Sequence, residues 1–536
     1  MKTIGSFLLV FLCLKGYTQI NTQIYVDEIG AGGKTFTDTL KLKNAITSKL
    51  QEFSFQGYVF CGIDSMVYRN DSTFIYLHRG KRFELQQSEN EKSISMRHIN
   101  RQLTDLTENG YPFSQIIRTV DTISGDKALL SVTVEKGPKI IYDSAQFLNP
   151  IKTKKSYIYQ LLDIKPNSAF NESGYQNLED LMQRSQFLGF QKAPDVSFKN
   201  GKATTFLDIE EKTANSFQGI LGLQEANDGG TRFIGSLDLA LANLFNTGKE
   251  LEFAIESFAE QSQNLELRYK HPFLLGSNLS PFFSFNFLKQ DTSFLTRELA
   301  AGFETFISKK VSVSIEFREY NASLLTSNEV FANQQGLADF RRRSYGIRLQ
   351  DGVKEIKEIG SSAGWAISVS YGTKQIQRNT SLSDSFYDTL DLNTDLFQAS
   401  GHFTLQQKLG KRLYLNSTSV FGLLENDEIL QNDLYRIGGL SDFRGFNENS
   451  FFARRFWINR IELRNYTSRY SYFFLFYDQM ILKSIQDIDY PFGTGGGFVL
   501  ETNAGLFNFA LAMGKSSDQA FSAQQIRVHF GYTSLF

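Results

Sequence analysis

The sequence predicts a mainly β protein: a C-terminal 16-stranded antiparallel transmembrane β-barrel preceded by small α+β modules. Three observations carry that reading. Residues 216–536 alternate apolar and polar side chains almost throughout, the period of strands with one face in lipid and one in water. Phe (50) and Tyr (23) are plentiful in the 536 residues while AVILMFWYC reaches only 41%, which suits many half-buried strands better than one oily core. An apolar run at the N-terminus marks the chain for export, yet no later stretch approaches the roughly 18 uninterrupted apolar residues of a membrane helix. The charge balance of 56 Lys+Arg against 57 Asp+Glu leaves no basic excess for nucleic acid. Five scattered histidines (His78, His98, His271, His402, His529) and two cysteines argue against zinc, haem or disulfide frameworks, so no metal or cofactor is expected.

The first element is a signal peptide over 1–18. Lys2 precedes the apolar run Phe7–Leu14, and Gly16 and Thr18 sit at the −3 and −1 positions of a cut before Gln19. Cys13 follows bulky Leu12, which argues against a lipid-modified cysteine there. Cleavage leaves Cys61 as the only thiol, so no internal disulfide is expected. An exported chain without a spanning helix enters a membrane only as a closed sheet.

Residues 19–215 mix helical and strand patterns, and a unit recurs. Helical stretches at Leu40–Phe53, Ile99–Thr107 and Tyr175–Phe187 each end in Gly followed by an aromatic: Gly57-Tyr58, Gly110-Tyr111 and Gly189-Phe190. Gly suits a helix C-terminus that turns left-handed before a strand. Two strand-like runs follow each, the second being Phe74–Leu77, Leu129–Val134 and Phe206–Ile209. This divides the region into modules at 19–80, 81–138 and 139–215, the first expected to be partial and to lack its leading strand. A single α+β domain with coincidental Gly–aromatic pairs is the alternative. The exposed sheet edges of such modules can accept an extended segment of another chain through main-chain hydrogen bonds; plain spacers are the bland alternative.

From 216 to 536 the alternation is explicit. Leu251, Phe253 and Ile255 alternate with Glu252, Ala254 and Glu256, and Val311, Val313, Ile315 and Phe317 with Ser312, Ser314 and Glu316. A soluble sandwich also alternates, but over shorter strands and in a smaller domain. At about 20 residues per strand with its connection, the segment holds about 16 strands. Their expected centres are 221, 235, 253, 268, 284, 300, 315, 346, 368, 400, 417, 461, 476, 497, 508 and 530. The longest links, around 321–340, 374–394 and 423–455, then follow strands 7, 9 and 11. Even-numbered links are mostly short, as a barrel with long loops on one side requires.

The link after strand 11 contains Ile437-Gly438-Gly439-Leu440-Ser441-Asp442-Phe443-Arg444-Gly445-Phe446. An Arg in a barrel lumen presents a planar fork of donors suited to carboxylates, and pairing offsets its desolvation. Gly445 permits a tight turn, and Phe446 can wedge the loop against the inner wall; a solvated loop is the alternative. In this setting the sequence resembles the outer-membrane assembly and translocation superfamily, the POTRA-plus-barrel proteins of BamA and TamA type, with the FhaC-like branch as neighbour. The resemblance implies that Arg444-Gly445-Phe446 is the tip of a loop folded back into the barrel, where the Arg meets acids of the next two strands. Glu462 in Ile461-Glu462-Leu463-Arg464 and Asp478 in Phe476-Tyr477-Asp478-Gln479-Met480 match, with Met480 standing where the family has Gly. It also implies POTRA modules at the N-terminus, inner turns at Asn243–Gly248 and Tyr269–Phe273, and a C-terminal insertion signal on Ile526, Val528, Phe530, Tyr532 and Phe536, from which Ser534 departs.

The implied function is outer-membrane protein assembly or translocation, with POTRA modules in the periplasm. The implied partners are unfolded outer-membrane or exported polypeptides, outer-membrane lipid, and accessory periplasmic or lipoprotein subunits. Fewer modules than the five usual in BamA favour a specialised, TamA-like role. Gly219 and Gly222 in strand 1, with Phe530, Gly531 and Phe536 in strand 16, mark the seam where the barrel closes and where a client strand could pair. Two rival readings stand beside this one. A two-partner secretion pore would export one polypeptide through the lumen, but residues 20–36 lack its long plugging amphipathic helix. A barrel enzyme is disfavoured: no Gly-x-Ser-x-Gly elbow is present. Met513-Gly514-Lys515-Ser516 fails as a phosphate loop because Phe509 holds the first Gly position. Gly493–Gly497 reads as a Gly-rich strand start. Asp384, Asp388, Asp391 and Asp395 read as a solvated acidic loop rather than a cation site.

Overall fold

The computed structural model describes residues 20–27, 29–36, 39–69, 72–87, 96–225, 231–259, 261–351, 360–502 and 505–535. The expected signal peptide and Phe536 lie outside the described residues. The chain divides into one unit of 1–151 with 161–211 and a second of 152–160 with 212–536.

The first unit contains three small sheets. β1 (Ile20–Val26), β2 (Ile29–Phe36), α1 (Thr39–Phe55), β3 (Gly62–Arg69) and β4 (Ser72–His78) give a sheet of order β2-β1-β4-β3. β5 (Glu84–Gln87), α2 (Met96–Glu108), β6 (Gln115–Ser124) and β7 (Lys127–Glu135) give β5-β7-β6. β8 (Ile141–Phe147), α4 (Glu172–Gln176), α5 (Leu178–Met182), β9 (Leu188–Lys199) and β10 (Lys202–Glu211) follow, with strand order β8-β10-β9; α3 (Lys155–Leu161), between β8 and α4 in the chain, falls in the second unit but for its last residue. In each sheet the leading strand lies parallel to the second strand of the hairpin: β1 on β4, β5 on β7 and β8 on β10. Helix α1 closes the first sheet with Leu42, Ile46 and Phe53 against Ile75 and Leu77 of β4.

Two expectations are corrected here. The first module does not lack its leading strand: β1 fills that place, its Ile24 and Val26 packed on the α1 core. The polar Asn21, Thr22 and Gln23 between its apolar positions hide the pattern in the sequence. The third Gly–aromatic pair does not end a helix. Gly189-Phe190 lies inside β9, and the expected helix over 175–187 is two five-residue helices joined at Asn177 and finished by Met182. Asn is a weak helix former whose side chain competes for backbone groups, and buried Phe187 and Leu188 carry the apolar pattern on into the strand.

The first two glycines have a shared role. Gly57 and Gly110 both adopt φ +97°, and each carbonyl accepts from the next sheet's lead-in: Phe83 N–H to Gly57 at 2.8 Å and Ile140 N–H to Gly110 at 2.7 Å. A Cβ at Gly57 would stand 2.3 Å from the Phe83 carbonyl oxygen. Gly57→Val is expected to destabilise this joint by about 2 kcal/mol, through the left-handed backbone and the clash. Faster proteolytic cleavage of the full chain near 79–83 would register it; an unchanged cleavage rate would contradict it.

The second unit is a closed antiparallel barrel. Its sixteen long strands are, in order, Ser216–Glu225, Thr231–Leu244, Lys249–Ala259, Ser262–Lys270, Ser280–Gln290, Phe294–Phe306, Val311–Leu324, Phe340–Asp351, Ser362–Ile376, Asn393–Lys408, Leu413–Glu425, Arg455–Tyr466, Tyr472–Lys483, Phe492–Thr502, Gly505–Lys515 and Arg527–Leu535. They are called barrel strands 1 to 16 below. Each expected centre falls within its own strand. The pleat sends Ile315, Ile367, Val369 and Tyr371 to the outside, exposed, and buries Ser314, Arg342, Ala366 and Lys374 within. Links 325–339, 377–392 and 426–454 follow strands 7, 9 and 11, on the side opposite the short turns 307–310 and 467–471. These three links share an apolar core of Ala338, Leu382, Tyr387 and Leu430 over Phe340 and Ile376.

Candidate functional site

The link 426–454 is drawn into the barrel as a lid. A short hairpin of Tyr435–Ile437 with Phe451–Ala453 forms its stem, and a single helical turn, Gly439–Asp442, leads to the tip. Arg444 is 6% exposed and meets both expected acids. Its Nε donates to Asp478 Oδ2 at 2.8 Å and its Nη2 to Asp478 Oδ1 at 2.6 Å, the bidentate fork that guanidinium and carboxylate favour. Its Nη1 donates to Glu462 Oε1. The guanidinium carbon stands 3.7 Å from the centre of the Phe476 ring, so strand 13 supplies both a carboxylate and an aromatic face.

Alternation places these groups. Glu462 and Arg464 on strand 12 and Phe476 and Asp478 on strand 13 lie two residues apart and therefore share the inner face. Asp478 is fully buried, and the Arg444 fork offsets the cost of holding a carboxylate there. Sequence reasoning missed Arg464, which reaches Glu462 Oε2 from Nη2 at 2.6 Å and Gln406 Oε1 from Nη1 at 3.1 Å. Glu462 is thus shared by two guanidinium groups, one from the lid and one from the wall. The Ile461-Glu462-Leu463-Arg464 spacing itself carried that signal.

Phe446 is buried, stacked 5.3 Å from Phe443 and edge-to-face 4.8 Å from Phe451, in a cluster with Ile437, Ile458, Met480 and Leu482. Met480 has no exposure: its thioether fills the apolar pad under the lid. The tip rests on backbone stripped of side chains. A Cβ on Gly493 would meet the Arg444 carbonyl oxygen at 2.0 Å, and one on Gly514 would meet the Phe446 ring at 2.5 Å. Gly445 itself holds φ +93°, and a Cβ there would stand 2.8 Å from the Met513 carbonyl. Gln519 then bridges guest and wall, donating to the Gly445 carbonyl at 3.2 Å and the Gly514 carbonyl at 3.0 Å. The Gly-rich start of strand 14 and the failed phosphate loop of strand 15 together form the seat of the lid.

The seam residues lie elsewhere in the barrel. Among the described residues strand 1 pairs with strand 16 over Ser216–Ile220 against Gly531–Leu535, so Gly219 faces Tyr532 and Gly531 faces Ile220. Gly222 and Phe530 pair with strands 2 and 15 but fall beyond the seam ladder. Phe530 points outward, half exposed. In the acidic link, Asp384 pairs with Arg378. Among the described residues no group of three or more His, Cys, Asp or Glu is placed to hold a metal ion.

The fold is thus a closed 16-stranded antiparallel barrel preceded in the chain by small α+β sheets, with an arginine-tethered loop drawn into the barrel. In structure the chain is similar to CdiB from Acinetobacter baumannii, with TM-score 0.54 and 13% identity over 100% of this chain and 94% of that one. It is similar also to CdiB from Escherichia coli, with TM-score 0.53 and 11% identity over 93% and 99%. BamA from Haemophilus ducreyi lacking POTRA domains 1–3 aligns at TM-score 0.46 and 12% identity over 85% and 99%. The two CdiB structures carry the fold assignment. No protein-family model matches the sequence, and no curated protein matches it.

Proposed function

We propose that this protein is an outer-membrane factor for inserting or translocating polypeptides, and that it inserts unfolded β clients through its seam. The supporting observation is the short closing ladder. On the seam side, Leu221–Glu225 of strand 1 and Arg527–Phe530 of strand 16 have no strand partner among the described residues. Backbone N–H and C=O groups left unpaired at membrane depth are costly, and an incoming strand would satisfy them while entering lipid. The sheet edges of the N-terminal modules, placed in the periplasm, would receive extended clients in the same main-chain fashion. The activity is non-enzymatic and needs no cofactor. Accessory periplasmic or lipoprotein subunits are compatible with it.

The likeness to CdiB favours a second reading, a two-partner secretion pore that exports one polypeptide. Against it, residues 20–26 and 29–36 form strands rather than a plugging helix. The seam decides between them. In a Cys61→Ser chain, cysteines at Gln218 and Thr533, whose side chains lie 3.2 Å apart across the ladder, would lock strand 1 to strand 16. Oxidation is expected to abolish client insertion into proteoliposomes, and reduction to restore it. Undiminished insertion by the locked barrel would sink the seam route.

A further inference from the structure

The lid is held at a second place, remote from Arg444. Its first limb turns at Gln431–Asp433, where the Asp433 side chain is 1% exposed. One Asp433 oxygen pairs with Lys374 Nζ of strand 9 and accepts from the Leu430 N–H at 2.9 Å. The other lies 3.4 Å from Arg342 Nη1 of strand 8. Lys374 has no side-chain exposure, donates to the Glu428 carbonyl at 2.6 Å and lies 4.4 Å over the Phe340 ring. Arg342 lies 3.9 Å over Tyr320, whose hydroxyl donates to the Asn432 carbonyl at 2.9 Å. Two wall cations thus close on one carboxylate of the lid in a buried site, where each charge depends on the others staying.

This site ties the long links to one another. Gln431 N–H donates to the Gly336 carbonyl and Asn432 Nδ2 to the Ala338 carbonyl, both at 2.9 Å, joining the lid to the link after strand 7. Asp391 N–H donates to Glu428, joining it to the link after strand 9. From Asp433 the lid crosses to strands 5 and 6, where Arg436 Nη1 donates to Gln290 at 2.9 Å and lies 4.9 Å over Phe294, before reaching the Arg444 seat on strands 12 to 15. One loop therefore touches the wall on opposite sides.

We propose that Asp433, clasped by Lys374 and Arg342, is a latch that keeps the long-loop mouth of the lumen shut, so that polypeptide leaves by the seam and not through the lumen. The inference rests on the insertion reading for the identity of the cargo, but the latch can be tested without cargo. The test uses the full chain in planar lipid bilayers, with heat-dependent gel mobility reporting a folded barrel. Asp433→Asn strips both wall cations of their carboxylate and Lys374→Met leaves Asp433 to Arg342 alone; each is expected to raise the open fraction on the order of 100-fold over the parent. Lys374→Met decides the matter should Asp433→Asn not assemble. Folded variants that conduct no more than the parent overturn the latch. Raised conductance together with full insertion by the seam-locked barrel would leave the latch standing and remove the seam route.

Discussion

Arg444→Ala is expected to release the lid tip and abolish client insertion while the barrel stays closed. The substitution leaves Asp478, fully buried, and Glu462 without the lid guanidinium, and it uncovers the Phe476 face. Removing one partner of such a buried pair costs about 3–5 kcal/mol. The wall survives because strand 12 still pairs with strand 13 from Arg455 to Tyr466, and Arg464 still holds Glu462. Limited proteolysis should therefore open a site between 437 and 453, with no change in heat-dependent gel mobility. Arg444→Lys keeps the charge but cannot serve both Asp478 oxygens and Glu462 at once, so an intermediate cleavage rate is expected. A tip as protected in the alanine variant as in the parent would show that the apolar pad alone seats the lid.

Gly514→Val is expected to produce the same phenotype from the other side of the contact. Its new Cβ would stand 2.5 Å from the Phe446 ring and 2.8 Å from the Gly445 carbonyl oxygen, with strand backbone behind it. Overpacking of this kind costs about 1–3 kcal/mol, and the lid avoids it only by lifting away, which pulls Arg444 off its acids. The two substitutions should then be non-additive: the double variant should be cleaved little faster than Arg444→Ala alone. Gly496→Ala is the control. Its Cβ would approach the Leu475 side chain at 2.9 Å on the outward face, away from the seat. Additive rates for Arg444→Ala and Gly514→Val would refute the shared seat.

The barrel was legible because a wall between lipid and lumen writes its geometry into every second residue; the run from Val311 to Phe317 needs no distant information to be read. The Arg444, Glu462 and Asp478 set was legible for a related reason, since one motif and two strand parities suffice to bring them together. The seat was not. Gly493 and Gly514 are defined by what approaches them across the lumen, and a missing side chain leaves no pattern to count. Asp433 was missed likewise: its partner Lys374 lies 59 residues away, and nothing local distinguishes this Asp from those of a solvated link. In the N-terminal unit the Gly–aromatic pairs misled at Gly189 because an apolar pair continues a buried strand as readily as it ends a helix. β1 escaped notice because four of its seven residues are polar or aromatic-hydroxyl.

The seat on strand 15 has a mechanical consequence. Strand 15 pairs along one edge with strand 14 and along the other, over Leu506–Ala512, with strand 16. A tip that sits on Met513 and Gly514 thus bears on the rail next to the closing edge. The resting place of the lid and the closing edge of the barrel are thus a single strand apart, and any client that loosens one works beside the other.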